Sequence, residues 1–192
     1  MTFSVLYVCT GNVCRSPMAE LLFRAWADPR ADVEVHSAGM QALVGHKIDS
    51  SSASALHQLG IDPSTHRAKQ FEPWMAKGAD LILTAERKHR DAIMTELPTA
   101  FRRTFTMKEF ARLAPYITES NAEGALAQAS VSRAAAGAVP PEQDDVADPF
   151  RGAVKHARLS ADEITSLVRT ALDMLRFSTT HMSAGRPMPY RV

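Results

Sequence analysis

The sequence predicts a single α/β domain built on a parallel sheet. Three observations lead there. Apolar runs of strand length alternate with helical patterns along the chain, the order that produces β–α units. A length of 192 residues suits one domain with a sizeable core. The segment from Val5 to Pro17 reads as strand, tight loop and helix start, and parallel sheets bind ligands at such carboxyl strand ends.

The elements follow in order. Val5-Leu6-Tyr7-Val8 is a short apolar run that ends at Cys9, before the punctuating Gly11-Asn12 pair, which suits a buried strand. Ser16 is a good N-cap residue and Pro17 needs no donor in a first turn, so a helix is expected over 17–27. Leu21, Leu22, Ala25 and Trp26 supply its apolar stripe, and Asp28-Pro29 ends it. Val33 to His36 alternates like a strand, Ser37-Ala38-Gly39 turns, and 40–49 is a loop. A helix over 48–59 starts near Asp49 or Ser50 and stops at Gly60. Residues 61–78 read as irregular, punctuated by Pro63 and Pro73. Ala79 to Thr84 is a buried strand, and a helix over 86–97 follows, closed by Pro98. Its run Arg87 to Arg90 reads as a solvated face. Arg103 to Phe105 is a short strand, and Thr106 with Glu109 opens a short helix over 107–113 with capping-box spacing. The stretch 118–143 is rich in Ala and poor in large apolar residues. It is expected to hold a peripheral helix or a mobile excursion, with 122–136 as the helical part. Residues 144–150 form an acidic loop. The last amphipathic helix is expected over 160–177, with Ser160 and Glu163 as its capping box, so the domain spans 1–178. The polar tail 179–192 is expected to be flexible.

Composition removes several function classes. A net charge of +1 lacks the basic excess of a general nucleic-acid binder. No apolar run approaches the ~18 residues that span a bilayer. No charged and then apolar leader opens the chain, so a cytoplasmic location is expected. Two cysteines, Cys9 and Cys14, make no disulfide scaffold and no all-cysteine zinc site; sharing one loop, they read as reactive thiols in a reducing compartment. The histidines lack clustered ligand spacing, and a lone one such as His36 or His57 is more often structural, so no metal and no cofactor are called for. Neither glycine-rich nucleotide-loop pattern occurs.

The chemistry lies in Cys9-Thr10-Gly11-Asn12-Val13-Cys14-Arg15-Ser16. Gly11 and Asn12 tolerate the unusual dihedrals of a tight turn. The N–H groups of such a loop can converge into an anion nest, the helix start adds positive potential, and Arg15 presents a planar fork to two phosphate oxygens. Cys9 sits at the base of that bowl, where its thiolate form is favoured. A thiolate beneath a bound phosphate monoester is a nucleophile aimed at phosphorus. The leaving oxygen then needs a proton. Asp148 is the candidate donor: Pro149 stiffens its loop, and Phe150 can flank an aromatic substrate. Asp144 and Asp145 compete for that role without a following proline.

The string C-T-G-N-V-C-R-S-P-M-A-E resembles the signature loop of the low-molecular-weight protein tyrosine phosphatases. Ser37-Ala38-Gly39, Gly60-Ile61-Asp62 with His66-Arg67-Ala68, Ala79 to Leu83, Thr106 to Phe110 and Asp148-Pro149-Phe150 resemble further family segments, in family order. The resemblance implies a four-stranded parallel sheet flanked by helices on both faces, with the phosphate-binding loop after strand 1. It also implies metal-free catalysis through a phosphocysteine, acting on a tyrosine-phosphorylated protein or a small aryl phosphate. By position it makes Cys9 the nucleophile, Arg15 the phosphate clamp and Asp148 the acid and then base. The loop from Thr10 to Cys14 cradles the phosphate, and Ser16 stabilises the thiolate. Asn12, Ser37 and His66 brace the loop, and Cys14 is a partner for a reversible disulfide with Cys9.

The chain departs from that pattern in three places. The stretch 118–143 is longer than the compact family pattern, Thr84-Ala85-Glu86-Arg87 lacks a methionine often found there, and Phe150-Arg151 replaces the tandem tyrosines of eukaryotic members. Phosphoarginine phosphatases share the fold and place Thr where this chain has Val13, and a branched apolar residue there favours an aromatic ring. Thioredoxin-coupled arsenate reductases need further cysteines, and none follows Cys14. A small-molecule phosphatase and a non-catalytic phosphoprotein-binding module are the remaining alternatives.

Overall fold

The computed structural model describes residues 2–150, 152 and 154–178; the expected tail 179–192 lies outside the described residues. Four strands form one parallel sheet in the order β2-β1-β3-β4. They are β1 (Phe3–Cys9), β2 (Val33–Gly39), β3 (Leu81–Thr84) and β4 (Thr104–Thr106). The central strand β1 is apolar on both faces because both faces are covered, as buried parallel strands require. Val5, Tyr7 and Cys9 point into one core layer, and Leu6 and Val8 into the other. The first layer is closed by α1 (Arg15–Trp26), α2 (Ser50–Gln58), α5 (Met107–Arg112) and α8 (Val154–Met174). The second is closed by α3 (Pro73–Gly78) and α4 (Arg87–Glu96). Phe23 and Phe105 are fully buried in the first layer, and truncating either to Ala should cost ~3–5 kcal/mol.

Several boundaries differ from the sequence expectation, each for a local reason. Helix α1 begins at Arg15, and Ser16 is not its side-chain cap, because that hydroxyl is bonded to Cys9 instead. Asp49 does cap α2 through the Ser51 N–H at 3.1 Å, and Gly60 takes a φ of 76° just past it. The supposedly irregular stretch before β3 contains α3, with Pro73 in its first turn. Residues Pro98–Arg103 form a 3-10 turn, which moves β4 one residue later. The Thr106 and Glu109 capping box is present, with bonds of 3.0 and 3.2 Å.

Helix α6 (Ala122–Ser132) is capped by Asn121 and packs through small residues, with Ala122, Ala125 and Ala129 buried. Beyond it, the Arg133 guanidinium lies 4.0 Å from the Phe105 ring centroid and bonds the Thr104 carbonyl at 2.7 Å. Small side chains and arginine bonds hold this stretch, where the sequence offered few large apolar anchors. A short helix α7 (Pro141–Asp144) precedes the acidic loop. Helix α8 starts six residues before the expected Ser160, so no Ser160 and Glu163 capping box forms. Ser160 donates to the Ala147 carbonyl at 3.0 Å, and Glu163 pairs with Lys108 at 2.6 Å.

Candidate active site

The site lies at the carboxyl end of the sheet, where β1 passes into the loop 10–14 and then α1. Cys9 is buried at the end of β1. Its Sγ lies 3.0 Å from the Ser16 hydroxyl and accepts the Asn12 N–H at 3.3 Å. Asn12 is the residue that takes the left-handed conformation, with φ 53°, and Gly11 does not. The loop turns on a side chain that also holds it in place. Asn12 Nδ2 donates to Ser16 at 2.9 Å and to Ser37 at 2.8 Å, while its Oδ1 accepts the Lys69 N–H at 2.8 Å. Its carbonyl accepts from His66 Nε2 at 2.9 Å. Burial holds the His66 imidazole below its ordinary range, against the opposing pull of the Asn12 carbonyl and Glu20. Behind Ser37 stands Glu20, which accepts the Ser37 hydroxyl at 2.5 Å.

Gly39 closes the loop from β2. A Cβ there would lie 2.5 Å from the Thr10 carbonyl oxygen, so only glycine fits.

Arg15 is 1% exposed, and its guanidinium is held from several sides. Nη1 donates to Glu86 Oε1 at 2.5 Å and to the Val146 carbonyl at 3.0 Å. Nη2 donates to Asp148 Oδ2 at 2.7 Å. Two carboxylates offset the burial of this charge. Nε is buried with no partner, an orphan donor that an anion in the bowl would satisfy. Burial alone would raise the Glu86 carboxyl, but hydrogen bonds from Lys88 and Arg15 outweigh it and hold it below the usual range.

Asp148 reaches the same point from the loop after α7. The loop is fixed by the Val146 N–H on the Ala85 carbonyl at 2.8 Å and by the Ser160 bond to Ala147. Asp148 Oδ1 accepts the Phe150 N–H at 3.2 Å. Asp144 is buried and paired with Arg87 and Arg112, and Asp145 accepts the Arg87 N–H at 2.7 Å. Those bonds turn both carboxylates away from the proton-donor role.

A cavity of about 170 Å³ joins these groups. Cys9, Thr10, Arg15 and Asp148 line it on the polar side, with Val13, Leu43 and Phe150 among its apolar walls. Cys14 also lines it; burial pushes its thiol up to about 12, with Asp49, Asp148 and Cys9 adding to the effect and Ser52 opposing it.

The sequence reading missed the contribution of α4. Arg87 to Arg90 is no solvated face: Arg87 clamps Asp144, His89 is buried beside Thr10, and Arg90 pairs with Glu109. The available signal was positional. Strands β1 and β3 are parallel neighbours, so the residues following each emerge at the same sheet edge. Glu20 and Gly39 were visible in the motifs, without their contacts.

Comparison with known proteins agrees with this architecture. The family model "Low molecular weight phosphotyrosine protein phosphatase" matches residues 4–123. A protein-arginine-phosphatase of Geobacillus stearothermophilus is 31% identical over 176 residues, which cover 92% of this chain and 98% of that protein. The low molecular weight protein-tyrosine-phosphatase Ptp of Acinetobacter johnsonii is 36% identical over 104 residues, 54% of this chain and 71% of that one. Among solved structures, a low molecular weight protein tyrosine phosphatase from T. tengcongensis superposes with a TM-score of 0.69 at 31% identity, covering 91% of this chain and all of its own. The chain therefore belongs to the low molecular weight phosphotyrosine protein phosphatase family.

Proposed function

We propose that this protein hydrolyses phosphotyrosine monoesters, in a phosphorylated protein or a small aryl phosphate, through a phosphocysteine on Cys9. The observation that carries the reading is the convergence of Cys9, Arg15 and Asp148 on one cavity whose other walls include Val13, Leu43 and Phe150. The polar groups suit a phosphate and the apolar walls suit an aromatic ring.

In the first step a bond forms between Cys9 Sγ and phosphorus while the bond from phosphorus to the ester oxygen breaks. The departing oxygen keeps the electron pair and takes a proton from Asp148. In the second step Asp148, now a carboxylate, takes a proton from water as that water attacks phosphorus. Inorganic phosphate leaves and the Cys9 thiolate returns. Backbone N–H groups of loop 10–14, the helix start and Arg15 hold the equatorial oxygens, where charge develops. Ser16 and the Asn12 N–H stabilise the thiolate, and Ser37 and His66 keep Asn12 in place. Asp148 must leave Arg15 Nη2 as phosphate enters, which frees the acid and the clamp together.

With a peroxide as oxidant, the Cys9 thiolate would become a sulfenic acid with loss of water or alcohol from the peroxide, and attack by the Cys14 sulfur with loss of water would close the reversible, protective disulfide that the family resemblance implies. Two free cysteines in one loop suit a reducing, cytoplasmic setting. Among the described residues no helix is long and apolar enough to cross a membrane.

A second reading, dephosphorylation of arginine, has its own support. The protein-arginine-phosphatases of G. stearothermophilus and Bacillus subtilis align with 92% and 90% of this chain, whereas the A. johnsonii tyrosine phosphatase aligns with 54%. Val13 speaks for tyrosine. Matched phosphotyrosine, phosphoserine and phosphoarginine peptides, incubated with EDTA and a thiol reductant, separate the readings. Phosphate release from phosphotyrosine, abolished in Cys9→Ser and strongly reduced in Asp148→Ala, is expected. Preferred release from phosphoarginine would overturn the tyrosine assignment and keep the chemistry. Retained phosphate binding without turnover would point to a phosphoprotein-binding module.

A further inference from the structure

The Cys9 loop carries one side-chain hydroxyl at the cavity that the mechanism above does not use. Thr10 lines the cavity, and its Oγ1 lies 2.9 Å from His89 Nε2. Arg15 Nη2 points a second donor at the same oxygen from 3.5 Å. His89 stands in the first turn of α4, is 3% exposed, and has no partner on Nδ1. Burial holds its imidazole down to about 4, against the pull of Glu86, so the ring is neutral and carries one proton.

The 2.9 Å contact alone suits either tautomer, and the unpartnered Nδ1 favours the one with the proton on Nε2. A buried imidazole N–H without an acceptor is the rarer and costlier orphan, which leaves Nδ1 bare and puts the proton on Nε2. Nε2–H then donates to Thr10 Oγ1. With Arg15 Nη2 it occupies the lone pairs of that oxygen, so the Thr10 O–H must find an acceptor elsewhere. Cys9 Sγ accepts the Asn12 N–H and lies 3.0 Å from the Ser16 hydroxyl, which also donates to the Ala38 carbonyl, and among the described residues Thr10 makes no bond to it. A phosphate oxygen entering the cavity is an acceptor that a hydroxyl on its wall can reach.

We propose that Thr10 donates its hydroxyl proton to an oxygen of the bound phosphate, and that His89 is the positioning residue that aims it. The proposal rests on the phosphatase reading for the nature of the ligand. It gives the cradle a neutral side-chain donor beside its backbone N–H groups and Arg15. It also assigns a purpose to a buried histidine whose far nitrogen has no bond.

The test uses the full chain and four variants: Thr10→Val, Thr10→Ser, His89→Leu and His89→Gln. Inorganic phosphate affinity is measured by calorimetry, and Cys9 alkylation by iodoacetamide is followed against pH without phosphate. A hydrogen bond to a charged group predicts that Thr10→Val weakens phosphate binding by roughly tenfold or more. Thr10→Ser restores it. His89→Leu shows a similar loss, and His89→Gln, whose amide can still donate to Oγ1, retains most of the affinity. The alkylation profile stays the same throughout, which a collapsed loop would not allow. Unchanged phosphate affinity in Thr10→Val overturns the proposal. So does a shifted alkylation profile in that variant, since the hydroxyl would then serve the loop or the thiolate. Turnover of 4-nitrophenyl phosphate by the wild type is read separately. A wild type that binds phosphate without turnover ends the phosphatase reading and leaves the Thr10 result valid, whereas one that does not bind phosphate ends both.

Discussion

Asn12 shows how much can depend on one side chain. It sits at φ 53° and uses its N–H, carbonyl, Nδ2 and Oδ1 on Cys9, His66, Ser16, Ser37 and Lys69. Alanine there strains the backbone by ~1–2 kcal/mol and leaves buried partners unpaired at ~1–3 kcal/mol each. Asn12→Ala should therefore lower unfolding stability by about 4 kcal/mol or more and turnover by at least a hundredfold, read from urea unfolding and an aryl phosphate assay. Asn12→Gly relieves the backbone strain alone and should recover only the smaller part of that stability. Arg15 is equally constrained. Lysine brings one point charge to a place where a fork meets Glu86, Val146 and Asp148, so Arg15→Lys should lose most of kcat/KM. The Gly-Asn turn was legible because few residues tolerate such dihedrals. The division of labour was not: Asn12 takes the turn, and the indispensable glycine is Gly39 on the neighbouring strand, whose role depends on a through-space approach to Thr10.

At the scale of elements, the acid loop is held by a charge clamp that begins on α4. Asp144 is 1% exposed between Arg87 and Arg112, and Arg87 also bonds the Val139 carbonyl at 2.5 Å. Removing one partner from a buried cluster of this kind typically costs ~3–5 kcal/mol. Asp144→Asn should accordingly destabilise the fold by about 3 kcal/mol. It should also lower kcat more than it raises KM, because Asp148 loses its anchor while the phosphate loop keeps its own. Steady-state kinetics beside thermal unfolding checks both parts. Gly39→Ala acts on the other pillar: its Cβ would press on the Thr10 carbonyl, and phosphate affinity should fall together with stability. The strands and most helices were legible from periodicity. The early start of α8 was not, because Ser160 faces the Ala147 carbonyl rather than the end of its own helix.

For the molecule as a whole, two buried neutral histidines set an acid limit. His89 is held near 4 and His66 below its ordinary value, both chiefly by burial. An unfolded chain takes up these protons as pH falls through about 6.5, and the folded chain resists until lower pH. The stabilisation is thus complete above 6.5 and is lost progressively toward pH 4, with His89 contributing up to about 3 kcal/mol. Urea unfolding at several pH values should show the fall, and His89→Gln should flatten it; an identical slope in that variant would refute the assignment. The sequence by itself determined the α/β class and the loop between β1 and α1, and it singled out Cys9, Arg15 and Asp148 as the chemical groups of the proposed reaction. Those follow from local periodicity, turn chemistry and residue type, which short segments carry. Only the tertiary structure decided that Glu86 and His89 share the site with them, that Asp144 anchors the loop carrying Asp148, and that Ser16 does not cap α1. Those facts come from parallel packing, which brings the ends of β1 and β3 to one edge although more than seventy residues separate them in the chain.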